Sequence, residues 1–178
     1  ADAARNDTAH LPPRHALTLL RDRFASPGAH AGWVAARRTV VYLGRAAASL
    51  RAVANEEALL EALAVAAADA GWALEVLGDA PSPPLAAAAA RMAAAGVVVG
   101  VHGAGWANLL FVGGGAQAVE LALPEPHAIY AAHLAAALGI GYECVPLDGL
   151  GLHSAPRVPV RVGEVARAVR RAMRRHEA

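Results

Sequence analysis

The chain has no lysine, a single cysteine, few aromatic residues and no long apolar run, and each shortage closes a class of explanation. With Cys144 alone no internal disulfide forms, and cysteine usage leaves the redox compartment open. Arg91, His102 and scattered polar residues break the alanine and valine stretches before any reaches the ~18 residues of a membrane span. A charged-then-apolar signal peptide is missing as well. The chain opens on Ala1, and a fragment of a longer protein is expected, with any anchor or targeting segment lying upstream.

Basic residues are arginine throughout, a bias from which no function is read, and the formal net charge of +1 argues against a nucleic-acid footprint. Arg167, Arg170, Arg171, Arg174 and Arg175 crowd the last predicted helix, where cations complement the helix dipole. Several motifs are missing too. There is no Walker A sequence and no Gly-x-Gly-x-x-Gly fingerprint. None of Ser26, Ser49, Ser82 and Ser154 stands in a Gly-x-Ser-x-Gly elbow, so an esterase is a remote alternative. No Asp-x-Asp pair offers a grip on a metal-bound diphosphate. The eight histidines are dispersed, with His127 and His133 on different faces of one helix, and no metal site is expected.

What is present alternates between strand and helix patterns, in a length suited to one domain. A poorly ordered lead-in over 1–13 precedes a core over 14–148, then a loop and terminal helix over 149–178. A helix over Arg14–Phe24 stops at Ser26-Pro-Gly28, and Thr39–Leu43 reads as the first strand. Asn55 caps a helix that runs to Ala70 and ends at Gly71. A strand over Trp72–Leu77 follows, then an alanine-rich helix from Pro81–Pro84 to Ala95. The third strand is Val97–Val101 and the fourth Ala118–Leu121. Glu125–Leu138 is a helix closed by Gly139, Tyr142–Val145 a fifth strand, Leu147–Val160 an irregular loop and Gly163–Arg175 the terminal helix. Such alternation implies an α/β, Rossmann-like, doubly wound parallel sheet of about five strands. An order of 2-1-3-4-5 would put the topological switch between the first and third strands, beside Arg45 and the glycines after Val101.

That glycine segment, Gly100-Val-His-Gly-Ala-Gly105, carries most of the chemistry. It runs from an all-valine strand into a helical turn over Trp106–Phe111, whose first amides suit an anion. Arg45 and the glycine loop read as functional, because both fall at strand ends facing one crevice. Asn55 and Glu56 are explained by the helix cap and first turn. Trp33, Trp72 and Trp106 read as packing residues, although Trp106 can also flank a donor, and Cys144 reads as a small core residue.

The succession Arg38-Thr-Val-Val-Tyr-Leu-Gly-Arg45, Arg51-Ala-Val-Ala-Asn-Glu-Glu57, Gly100-Val-His-Gly-Ala-Gly105 with Asn108-Leu-Leu-Phe111, and Ala118-Val-Glu-Leu121 resembles glycosyltransferase family 61. The likeness extends from about Arg14 to about Asp148, taking in Tyr130 and Gly139–Tyr142. It departs from the family pattern at Trp106, Ala107 and Gly113-Gly114. The resemblance implies the carboxyl-terminal, donor-binding half of a GT-B transferase that moves a sugar, with inversion, from a nucleotide sugar, usually UDP-linked, to a hydroxyl of a glycan or glycoprotein. It implies donor contacts from Arg45, Arg51, His102, Gly103, Ala104, Gly105, Trp106, Asn108 and Glu120, with Glu120 toward ribose and His102 toward a phosphate oxygen. No metal or other cofactor is implied. The general base is expected outside this chain, in an upstream acceptor-binding domain. By the same likeness the full-length protein is expected in the Golgi or endoplasmic reticulum lumen behind a membrane anchor, or in a bacterial cytoplasm. The rival reading is a nucleotide-binding or structural module without turnover.

Overall fold

The computed structural model describes residues 12–24, 37–78, 83–122, 129–148 and 155–178. Five strands, β1 (Thr39–Leu43), β3 (Ala73–Leu77), β4 (Val97–Val101), β5 (Gln117–Ala122) and β6 (Gly141–Pro146), form one parallel sheet in the order β3-β1-β4-β5-β6. In the numbering of the five expected strands this is 2-1-3-4-5. The order reverses between β1 and β4, whose register pairs Val40 with Val97 and Leu43 with Gly100.

Alternation along the strands divides the core into two layers. Val40, Tyr42, Val97, Val99, Val119 and Leu121 face helices α2 (Glu56–Asp69) and α5 (Val162–Glu177), meeting Leu59, Leu63, Val165, Val169 and Met173. Val41, Leu43, Val98 and Ala118 face α1 (Arg14–Phe24), α3 (Leu85–Ala93), α4 (Tyr130–Leu138) and a 3-10 helix over Ala104–Phe111. Helices on both faces explain the unbroken valines of β4, all five residues of which are buried. Leu59 and Leu63 have no exposed surface, and truncating either to alanine is expected to cost ~2–5 kcal/mol.

Two helices stop in the same way. Gly71 and Gly139 take left-handed φ of 70° and 69°, and the next residues, Trp72 and Ile140, return their N–H to Ala67 and Ala135 carbonyls at 2.8 Å. A β-carbon at either glycine would be strained there. Among the described residues no helix is long and apolar enough to cross a membrane.

Three local expectations are corrected. The segment Leu147–Val160 is not wholly irregular: Arg157–Val158 form β7, which pairs in parallel with Ala52–Val53, here β2. Asn55 sits at the N-cap position of α2 but makes no capping hydrogen bond with its side chain. It brackets Val160 instead, Nδ2 donating to the carbonyl at 2.9 Å and Oδ1 accepting the amide at 3.0 Å. Cys144 is exposed rather than buried, because β6 is the sheet's edge strand. The helix-stopping Ser26-Pro-Gly28, Trp33, His127, most of the lead-in, the start of the Glu125–Leu138 helix and Pro81-Ser82 lie outside the described residues.

Three of the five arginines of α5 are engaged with the body of the protein. Arg171 and Arg175 both hold Glu143 of β6, and Arg170 meets Asp69 at 3.2 Å. Burial tends to raise the Glu143 carboxyl, and the hydrogen bonds and charges of the two guanidinium groups outweigh it, holding the group below its ordinary range.

Candidate functional site

The carboxyl ends of β1 and β4 carry the residues singled out above. β1 leaves the sheet through Gly44, whose amide donates to Leu77 O at 3.0 Å, and Arg45 then starts a turn closed by Ala48 N–H to Arg45 O at 3.0 Å. The Arg45 Nη2 donates to Leu50 O at 3.1 Å, so the guanidinium folds over its own loop. Its Nε is buried and has no hydrogen-bond partner among the described residues.

Arg51 reaches the same point by another device. It is the one non-glycine residue with positive φ among those described, at 61°, a conformation that costs ~1–3 kcal/mol and persists only when neighbours impose it. The β2–β7 pairing imposes it. Arg51 N–H donates to Ala155 O at 2.8 Å, Ala52 N–H to Pro156 O at 3.1 Å and Ala54 N–H to Val158 O at 2.8 Å. Two-residue strands have no periodicity, so this brace had no signal in the sequence.

Both arginines converge on Gly103. A β-carbon on Gly103 would lie 2.5 Å from Arg45 Nη1 and 3.8 Å from Arg51 Nη2. Two guanidinium groups at one backbone position favour an anion with several acceptor oxygens. Gly100, one turn of the pleat below, lies so close to β1 that a β-carbon would sit 2.8 Å from Leu43 Cβ.

The helical segment that follows is 3-10, and its donors are fewer than the sequence suggested. Trp106 N–H is spent on Gly103 O at 3.2 Å. The Trp106 ring has no exposed surface and donates Nε1–H to Val101 O at 3.2 Å, so it packs the core and flanks no ligand. Asn108 Nδ2 donates to Gly105 O at 3.0 Å and fixes the shape of the loop. Ala104 is exposed and Gly105 half-buried at the loop's crest.

On the other flank of β4, His102 leans toward β5 and β6. Its Nδ1 lies 2.7 Å from Glu120 Oε1, and the Tyr142 hydroxyl donates to Glu120 Oε2 at 2.6 Å. Glu120 has no exposed surface. Its carboxylate presents no surface to a ribose, and its two oxygens face His102 and Tyr142 instead. Burial, then the hydrogen bond and charge of Glu120, push the Tyr142 phenol far above its ordinary value, so it remains a donor. Partial burial and the same charge push the Cys144 thiol up, keeping it neutral. Tyr142 was not among the expected site residues. It becomes visible only when the register of β5 on β6, Ala118 beside Tyr142 and Glu120 beside Cys144, is known.

Glu56 is placed structurally, accepting from the Tyr42 hydroxyl at 2.8 Å. His133 is structural as well, with Nε2 2.9 Å from Pro12 O.

No curated protein matches the chain. Residues 3–119, more than half of the 178, match the family model described as Glycosyltransferase 61, and the chain belongs to that family.

Proposed function

We propose that the chain binds the diphosphate of a nucleotide sugar, UDP-linked, at the β1–β4 switch point, as the carboxyl-terminal half of a GT-B glycosyltransferase. The transfer, to a hydroxyl of a glycan or glycoprotein with inversion, uses arginines and backbone amides where other transferases use a metal. One observation carries the reading: Arg45 and Arg51, six residues apart and on a strained loop, are both brought to Gly103 at the head of a helical turn. In open α/β sheets ligands sit outside the carboxyl ends of the strands where the order reverses, and this is that place.

In such a site the departing diphosphate gains negative charge as its bond to the anomeric carbon lengthens. Fixed cations and amides aimed at that charge stabilise the transition state more than the ground state. Membership of the glycosyltransferase family supplies the reaction class; the two guanidinium groups supply the reason for a diphosphate.

Calorimetric titration with UDP tests the reading. The wild-type chain should bind UDP in EDTA as well as in its absence, and Arg45→Ala should weaken binding by about tenfold or more, ~1.4 kcal/mol. A folded wild-type chain with no affinity for UDP would remove the donor-site reading.

A further inference from the structure

Glu120 is a carboxylate sealed inside the sheet end, and binding a diphosphate gives it no task. Burying a charged group in place of an apolar one rarely adds stability, so its two hydrogen bonds ask for another reason. An ionised carboxylate only accepts hydrogen bonds. Tyr142, which stays protonated, donates to Oε2, and His102 Nδ1 faces Oε1 at 2.7 Å. Against an ionised Glu120 the ring places its hydrogen on Nδ1, and in the neutral imidazole Nε2 then carries the lone pair.

Nε2 makes no hydrogen bond among the described residues, and the His102 side chain keeps 18% of its surface exposed. The backbone sets its place. His102 N–H donates to Leu121 O at 3.0 Å, the last link to β5 before the chain turns out of the sheet. The next residue is Gly103, where Arg45 and Arg51 meet. A proton-accepting nitrogen and a two-arginine anion cradle thus stand on consecutive residues, on opposite flanks of one strand end.

We propose that His102 is the general base of the transfer, with Glu120 and Tyr142 as the residues that position it; the inference rests on the nucleotide-sugar reading above. The acceptor's hydroxyl oxygen forms a bond to the anomeric carbon. The bond from that carbon to the diphosphate breaks, and its electron pair leaves on the nucleotide diphosphate held by Arg45 and Arg51. The hydroxyl proton passes to His102 Nε2, and the imidazolium so formed is stabilised by Glu120, as a carboxylate does behind a catalytic histidine in hydrolases. His102 thereby leaves the set of phosphate ligands, since a neutral ring donating through Nδ1 has no hydrogen to offer a phosphate oxygen.

The test combines UDP titration, UDP release from a panel of UDP-sugars and ¹⁵N spectra of His102, all on the full chain. His102→Gln should lower kcat for UDP release by about 10²–10⁴-fold while the Kd for UDP stays within about twofold. Tyr142→Phe, which keeps the ring's packing, should lower kcat and leave that Kd unchanged. Glu120→Gln should redistribute His102 between its tautomers, whereas the wild type shows Nδ1–H alone. A wild-type ring protonated on Nε2 would overturn the inference. So would a His102→Gln variant that loses UDP as Arg45→Ala does yet turns over normally once saturated. UDP release by His102→Gln at the wild-type rate, with UDP still bound, would overturn the base and leave the nucleotide reading standing. Failure to bind UDP at all removes that reading, and the inference with it.

Discussion

A β-carbon on Gly103 would lie 2.5 Å from Arg45 Nη1, so the missing side chain of one residue is what admits the guanidinium of the other. The obstructed atom is the far end of a flexible side chain, not backbone. Gly103→Ala should therefore displace Arg45 at little cost to the fold. UDP affinity should fall by about tenfold, as for Arg45→Ala, with the melting temperature within about 2–4 °C of wild type. Gly100→Ala is the control. Its β-carbon would meet Leu43 Cβ at 2.8 Å and Leu43 O at 3.2 Å, between paired strands that cannot part. That variant should lose ~1–3 kcal/mol. Equal losses of stability for the two would mean that Arg45 is a fixed part of the scaffold.

Arg51 separates stability from binding. Its left-handed backbone is held by the pairing of Ala52–Val53 with Arg157–Val158, against the steric preference of any residue with a β-carbon. Arg51→Ala and Arg51→Gly remove the same guanidinium, and only the second relieves the backbone. Denaturant unfolding should find Arg51→Gly more stable than Arg51→Ala by ~1 kcal/mol, the left-handed penalty less the entropy glycine adds to the unfolded chain. UDP titration should find both equally weakened.

The clamp of Arg171 and Arg175 on Glu143 ties the terminal helix to the edge strand, and its strength follows the charge of the carboxylate. The folded state holds Glu143 below the ordinary value of 4.5. A group depressed in this way contributes stability that is fully present above the unfolded value and is lost as pH falls through the folded one. Because both arginines are about half exposed, the contribution is ~0.5–1 kcal/mol. Glu143→Gln should melt lower than wild type at pH 7, and the gap should close as the pH falls below about 4.5 and the carboxylate is protonated in the folded state. A gap that does not narrow at all as the solution is acidified would mean that packing, not charge, makes the contact.

The sheet and the Arg45–Gly103 neighbourhood were legible because their signals are local: valine runs, glycine stops and the alternation of periods. Strand order was not fixed in the same way: right-handed connections fit more than one doubly wound order, and only the pairing of β1 with both β3 and β4 selects 2-1-3-4-5. The brace behind Arg51 was not legible, since β2 and β7 are two residues each and about a hundred positions apart. Nor was the His102–Glu120–Tyr142 chain, which depends on a register that slips every side chain to the other face if moved by one. Trp106 was ambiguous for a simpler reason: only its burial against Val101 decides between a core ring and a ligand platform.

Asn55 shows how a correct local pattern can carry the wrong interaction. Its position before Glu56 and Glu57 suits a cap, and Asp and Asn cap helices about equally well. Its side chain instead closes a two-point bracket on Val160, joining the start of α2 to the segment between β7 and α5. Asn55→Asp distinguishes the two roles. As a cap it would be neutral or favourable near the helix's positive end. As half of the bracket it loses the Nδ2 donor and sets a carboxylate oxygen against the Val160 carbonyl, so unfolding should show a loss of ~1–3 kcal/mol. The bracket also braces β7 and, through Ala155 and Pro156, the backbone of Arg51. Asn55→Asp should therefore weaken UDP binding without touching the ligand, whereas Asn55→Asp with wild-type stability would return the residue to a simple cap.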